Sequence, residues 1–219
     1  MIIHKEGYHI LFLTTAVLFT LNAAVSYFFP SSPVIQNSTL GICATILLLT
    51  LYFFRAPKVT IQSDSQNIIA PCSGKIVAIE EITETEYFHD TRKQVSILAS
   101  INAPHVTHTP LSGQVKHYRH YSGKRFFALH PQSSTDNEQA IVVIQNEKSV
   151  EVLTKQIAGP FSKSITNYIL EKQKVEQGQP FGFITTTNFR MDIFLPLDTQ
   201  INVYLGQKII LGKTLIATL

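Results

Sequence analysis

The chain has 219 residues, enough for one ordinary domain and an appendage, with only 15% charged residues and a net charge of +3. That balance is too small to argue for a nucleic-acid partner. Two cysteines, Cys43 in an apolar run and Cys72 in a turn-like segment, exclude a disulfide framework, and no Cys/His spacing among the scattered histidines reads as a metal site.

Residues Tyr8 to Phe29 form a run without formal charge, rich in Leu, Phe, Ala and Val. About 20 such residues span a bilayer as a helix. Pro30-Ser31-Ser32-Pro33 breaks the helix, because proline cannot continue the hydrogen-bond ladder. A second uncharged run follows from Val34 to Phe54, with a polar start at Gln36, Asn37, Ser38 and Thr39. The pair predicts a transmembrane helical hairpin over 1–57; a buried core helix is the alternative for the second run. A cleaved signal peptide fits poorly, because Glu6 follows Lys5 at once and no small-x-small site closes the first run. Lys5, Arg55 and Lys58 flank the outer ends, while the turn has no Lys or Arg. The positive-inside rule therefore places both ends and the remainder on the cytoplasmic side of the membrane, which would be the inner membrane in a bacterium.

After Pro57 the texture changes to short β-branched segments: 76–79, 94–98, 140–144 and 150–153. Ser73-Gly74, Ser112-Gly113, Ser122-Gly123 and Gln177-Gly178 are turn signals between them. One helix is predicted over Phe161–Leu170, where Phe161, Ile165, Tyr168 and Ile169 recur at helical spacing. An internal echo relates Ala70-Pro71-Cys72-Ser73-Gly74-Lys75-Ile76 to Thr109-Pro110-Leu111-Ser112-Gly113-Gln114-Val115. A second echo relates 175–181 to 205–215. Such repeated turns predict a mainly β, barrel-sandwich-like domain over 58–219. It lacks the lysine motif of a swinging-arm carrier.

Many short motifs run in one order along the chain. They include His4-Lys5-Glu6-Gly7, Phe53-Phe54-Arg55-Ala56-Pro57-Lys58, Ala70-Pro71-Cys72-Ser73-Gly74-Lys75, Thr85-Glu86-Tyr87-Phe88, His105-Val106-Thr107-His108 and Gln156-Ile157-Ala158-Gly159. The last are Gly182-Phe183-Ile184 and Arg190-Met191-Asp192-Ile193-Phe194-Leu195-Pro196. As a set they resemble the short-form bacterial phosphatidylserine decarboxylases over nearly the whole chain. The resemblance implies a lyase of phospholipid (phosphatidylethanolamine) biosynthesis. In that family a serine attacks the preceding carbonyl at a Gly-Ser pair. Elimination then leaves a pyruvoyl group, which forms a Schiff base with the headgroup amine and serves as electron sink.

The same resemblance assigns roles to positions. His105 matches the base of a Ser-His-Asp arrangement, and Ser73 stands where the aspartate belongs. Thr187 and Asn188 stand at the Gly-Ser position, inside a gap Thr185-Thr186-Thr187-Asn188-Phe189 that is one residue longer and holds no serine. Thr107-His108 replaces Asn-Arg, which weakens an expected cationic contact or makes it pH-dependent. These differences imply a diverged member that forms no pyruvoyl cofactor and keeps lipid or partner binding, as a homo-oligomer or beside an active paralogue. Two alternatives stay open: self-cleavage at Thr186 or Thr187, and a membrane-tethered adaptor without lipid chemistry. His108, Arg119, Lys124 and Arg125, among Tyr118, Tyr121, Phe126 and Phe127, read either as a solvated strand face or as a basic, aromatic surface for anionic headgroups.

Overall fold

The computed structural model describes residues 2–3, 7–56, 66–99, 103–124, 136–160, 165–184 and 189–219. The chain divides into two compact units, Met1–Lys58 and Val59–Leu219. In the first, α1 (Gly7–Phe28) and α2 (Pro33–Phe53) form an antiparallel hairpin, closed at its outer end where β1 (Ile2–Ile3) pairs with β2 (Arg55–Ala56). Pro33 begins α2, the position where its missing N–H costs nothing. Gln36 in the polar start of α2 donates its amide to Phe29 O at 2.9 Å and so caps a carbonyl at the end of α1. Thr20, Thr39, Thr45 and Thr50 each donate their hydroxyl to the carbonyl four residues back. Their polar atoms are thereby satisfied within the helix, and the outward faces stay apolar, with Phe12, Phe19 and Leu48 exposed. Both helices are long and apolar enough to cross a membrane.

The second unit is built from β3 (Asn67–Ile69), β4 (Gly74–Thr83), β5 (Thr91–Ala99), β6 (Val106–His108), β7 (Gly113–Tyr121), β8 (Gln139–Gln145) and β9 (Glu151–Ile157). It continues through β10 (Ile165–Asn167), β11 (Lys174–Val175), β12 (Pro180–Ile184), β13 (Arg190–Leu195), β14 (Gln200–Ile201), β15 (Lys208–Ile209) and β16 (Leu215–Thr218). An eight-stranded antiparallel sheet runs β11-β7-β8-β9-β13-β5-β4-β15, and two three-stranded sheets run β10-β12-β6 and β14-β16-β3. Val142, Ile144, Ile97, Phe181 and Ile216 are among the fully buried residues of one continuous core. Across the other face of the large sheet Ile141, Val143, Leu153 and Phe194 form a smaller cluster under Tyr87 and Phe88. The turn bearing those rings is held by the Glu84 carboxylate, which accepts the N–H groups of Glu86, Tyr87 and Phe88.

The sheet orders are two copies of one pattern. The half-sheet β15-β4-β5-β13 mirrors β11-β7-β8-β9, joined at the β9–β13 pair, and β14-β16-β3 mirrors β10-β12-β6. The register repeats in detail. Gly74 and Gly113 open β4 and β7, and both strands bulge two residues later, at Ile76/Ala78 and Val115/His117. The Ser73 hydroxyl accepts Leu211 N–H and the Ser112 hydroxyl accepts Gln177 N–H, at 2.9 and 2.8 Å. Ile76 N–H donates to Gln207 O as Val115 N–H donates to Gln173 O, and Gly212 N–H to Ala70 O as Gly178 N–H to Thr109 O. The copy spanning β6 to β12 is continuous in the chain. It is inserted into the other, which comprises β3 to β5 and β13 to β16. The barrel-sandwich-like, mainly β architecture with an N-terminal helical hairpin is the expected one.

One expected element is replaced. Ile165–Asn167 is a strand, not part of a helix over Phe161–Leu170; residues 161–164 lie outside the described set. Ile165 and Ile169 are both buried, which produced the helical spacing. Pairing of β10 with β12 satisfies the backbone here, and so short a segment gains little from helix propensity. The four predicted strands fall within β4, β5, β8 and β9, apart from Val150 just before β9.

Candidate active site

Because one copy is inserted into the other, the chain crosses between them twice, between β5 and β6 and between β12 and β13. The two crossings are tied together. Ile184 N–H, at the end of β12, donates to His105 O at 2.9 Å, and Ala99 N–H, at the end of β5, donates to Phe189 O at 2.9 Å. His105 is 8% exposed, and its ring stands edge-on to Phe183 with centroids 5.9 Å apart. Burial holds its pKa below the ordinary histidine value, so the imidazole is neutral, the proton-accepting form, at neutral pH.

Beside this crossing lies a polar recess. Gly182 pairs on one side with Asn167 and on the other with Thr107. A Cβ at Gly182 would stand 2.5 Å from Asn167 Oδ1, 2.7 Å from Gln156 Nε2 and 2.7 Å from Thr107 Oγ1, so the absence of a side chain is what lets these three groups converge. Gln156 Nε2 donates to Thr107 Oγ1 at 2.9 Å. Gln156 Oε1 and both amide atoms of Asn167 are buried without a hydrogen bond among the described residues.

The other copy shows that the fold does not require this polarity. The strand pairing places Ile68 at the position of Thr107, Ala217 at that of Gly182, Ile201 at that of Asn167 and Leu195 at that of Gln156. Those four are apolar and pack in the core. Burying an unpaired amide costs about 1–3 kcal/mol, so one copy carries a penalty that its twin avoids. Sequence reading missed Gln156, Asn167 and Gly182 as a group, because only the sheet pairing brings them to one point.

Of the residues expected at the site, His105 sits at the crossing. The Ser73 hydroxyl holds the turn before β4 by the bond that Ser112 makes in the other copy. Cys72 next to it is buried, which pushes its thiol up to about 12 and leaves no thiolate nucleophile. Thr187, Asn188 and Arg125 lie outside the described residues. His108 is 2% exposed, so it does not share a surface with Arg119 and Lys124; the backbone of β6 turns it inward. Arg119 is exposed, with its guanidinium 5.1 Å from the Tyr121 ring, and exposed Lys124 faces Asp136 at 3.3 Å.

The family model for phosphatidylserine decarboxylase matches residues 46–217. The chain belongs to the phosphatidylserine decarboxylase family. A phosphatidylserine decarboxylase proenzyme of Cytophaga hutchinsonii is 45% identical over 99% of this chain and 98% of its own length. Similar proenzymes of Amoebophilus asiaticus and Porphyromonas gingivalis are 40% and 37% identical, over 98% and 100% of this chain and 95% and 99% of their own lengths. The Arg190-Met191-Asp192 motif that resembles the decarboxylase signature forms a largely buried ion pair at 3.0 Å on β13. Burial raises the Asp192 pKa against the opposing pull of Arg190, and burial lowers that of Lys155, its partner across the sheet. Immediately before this motif, Phe189 is buried in the core.

Proposed function

We propose that this member of the phosphatidylserine decarboxylase family is a membrane protein that binds an aminophospholipid headgroup without forming a pyruvoyl group. The observation that carries the second half is that no serine follows Ser164 in the chain, so neither the positions matching the Gly-Ser pair, Thr187 and Asn188, nor the buried Phe189 that follows them supplies one. A pyruvoyl group made from serine therefore has no source at this crossing. The residues present do not fit it.

The polar recess supports the first half. Gln156 Oε1 and Asn167 Oδ1 are acceptors suited to a primary ammonium, and buried polar groups without a partner call for an explanation that a bound headgroup supplies. In this reading His105 senses or shares the headgroup proton, being neutral at rest. The exposed apolar faces of α1 and α2 support a place in lipid, and the Arg55 and Lys58 that follow α2 favour the cytoplasmic side for that end of the hairpin.

Intact mass of the purified full-length protein is the test. One species at 24.5 kDa, together with binding of phosphatidylserine or phosphatidylethanolamine over phosphatidylcholine, is the expected result. The relatives are named proenzymes, which favours a second reading in which Thr186 or Thr187 is the cleaving residue. Two fragments divided between Ile184 and Arg190, with the C-terminal one blocked at its N-terminus, would establish that reading. A single species that discriminates no headgroup would leave an adaptor.

A further inference from the structure

The two copies also differ on their outer edges. The edge strands β15 and β11 are each flanked by two tight turns of the same build. In the first turn, Gln207 N–H donates to Tyr204 O and its amide oxygen accepts Tyr204 N–H; Gln173 makes both bonds with Leu170. Gly206 and Lys172 take the same left-handed place, at φ 87° and 67°. In the second turn Gly212 and Gly178 do so, at 67° and 76°. Thr214 Oγ1 accepts Ile210 N–H as Gln179 Oε1 accepts Glu176 N–H.

Matched backbones leave the outward side chains unconstrained, so their difference needs another cause. The β11 edge carries Glu171 and Glu176 at the places where the β15 edge carries Leu205 and Ile210. Tyr204, Leu205 and Ile210 are 69%, 66% and 56% exposed; the sister edge has one exposed large apolar side chain, Leu170 in the place of Tyr204, where this edge has three. Lys208 and Ile210 point outward on either side of buried Ile209. Lys75 is paired across from Lys208 and lies against the first turn, 3.7 Å from a Cβ placed on Gly206; Lys213 stands in the second turn. All three lysines are exposed. No acidic residue occurs from Thr199 to Leu219.

We propose that this edge is a membrane-docking surface, in which Tyr204, Leu205 and Ile210 enter the headgroup region of an anionic bilayer while Lys75, Lys208 and Lys213 contact lipid phosphates. An aromatic and two aliphatic side chains at turn tips, ringed by cations, match the apolar-below, anionic-above profile of such a surface. The sister edge shares an exposed tip residue, Leu170, and lysines at positions 172 and 174, but its Glu171 and Glu176 offset that charge, whereas Leu205 and Ile210 leave this edge apolar and cationic without an acid. The proposal rests on the membrane reading of α1 and α2, because a tethered domain meets the bilayer repeatedly.

The chain contains no tryptophan, so a single introduced one reports alone. Full-length Tyr204→Trp, with Leu205→Trp as a second reporter, is reconstituted in phosphatidylcholine vesicles with and without phosphatidylglycerol, carrying brominated acyl chains. Lys148→Trp is the control. It lies in the turn that leads into the start of β9, whereas β15 pairs with the start of β4 at the opposite end of the sheet. The expected result is a blue-shifted emission from the Tyr204→Trp protein, quenched by brominated lipid and more strongly so with phosphatidylglycerol. The Lys148→Trp protein should stay unshifted and unquenched. The triple change Lys75→Glu, Lys208→Glu, Lys213→Glu should remove the phosphatidylglycerol dependence. Protein that floats with vesicles while both edge reporters stay as aqueous as the control overturns the docking surface alone. Protein that does not float overturns it together with the membrane reading. A shift at position 204 that follows protein concentration in detergent and ignores brominated lipid assigns the edge to a second copy, and also overturns it.

Discussion

Two halves of one domain share a backbone and diverge in chemistry, and the divergence separates what the fold needs from what it does not. Where both copies agree, the cause is structural: Gly74 and Gly113, Ser73 and Ser112, the paired bulges and the left-handed turn residues all serve the start and closure of strands. Where they disagree, one copy is apolar inside and the other polar, and outside one carries Glu171 and Glu176 where the other carries Leu205 and Ile210. The inner difference sits beside the crossing at His105; the outer one sits on an edge strand. An unpaired copy offers no such internal control.

The strongest disruption is expected at a shared feature. A Cβ at Gly74 would stand 2.2 Å from Leu98 O, and one at Gly113 2.1 Å from Gln145 O. Neither backbone carbonyl can step aside, so Gly74→Ala and Gly113→Ala should each cost about 3 kcal/mol or more in denaturant unfolding of the purified protein. A large loss at one and none at the other would break the equivalence. Next comes the inner difference. Giving the inserted copy apolar residues like its twin's, as Thr107→Val with Gln156→Leu, should raise stability by about 1–3 kcal/mol, because a buried unpaired amide is removed. The same protein should lose aminophospholipid binding, the usual exchange of stability against function. Retained binding would dissociate the recess from the headgroup.

Smaller effects sharpen the reading of single residues. Ser73→Ala and Ser112→Ala each remove one acceptor from a turn N–H and should each cost about 0.5–1.5 kcal/mol. Equal losses with unchanged lipid binding assign Ser73 to the turn, and a binding defect confined to Ser73→Ala gives it a further role. At His105 burial lowers the pKa below the ordinary value of about 6.5. Folding then expels a proton, so stability is full above that value and falls as the pH drops through it toward the lowered folded-state value. His105→Gln should flatten that loss, measured as the melting temperature against pH; an unchanged slope would place the titration elsewhere. Least of all, Leu205→Glu with Ile210→Glu copies the sister edge onto β15 and should leave stability within about 0.5 kcal/mol.

The sequence by itself determined the hairpin, because an uninterrupted apolar run of sufficient length has few other solutions, and a proline at the first position of α2 marks its start. It also carried the strand texture and, through Pro71 with Pro110 and Gly74 with Gly113, the trace of duplication, since turn chemistry is local. Local signals failed at residues 165–169, where two buried isoleucines four apart imitate a helix and a neighbouring strand supplies the pairing. Only the tertiary structure decided that Thr107, Gln156, Asn167 and Gly182 meet, that His105 backs onto Ile184, that His108 faces inward, and that Tyr204, Leu205 and Ile210 stay in the open. Each depends on which strand lies beside which. That is fixed by cooperative burial across the whole sheet, and no window of neighbouring residues encodes it.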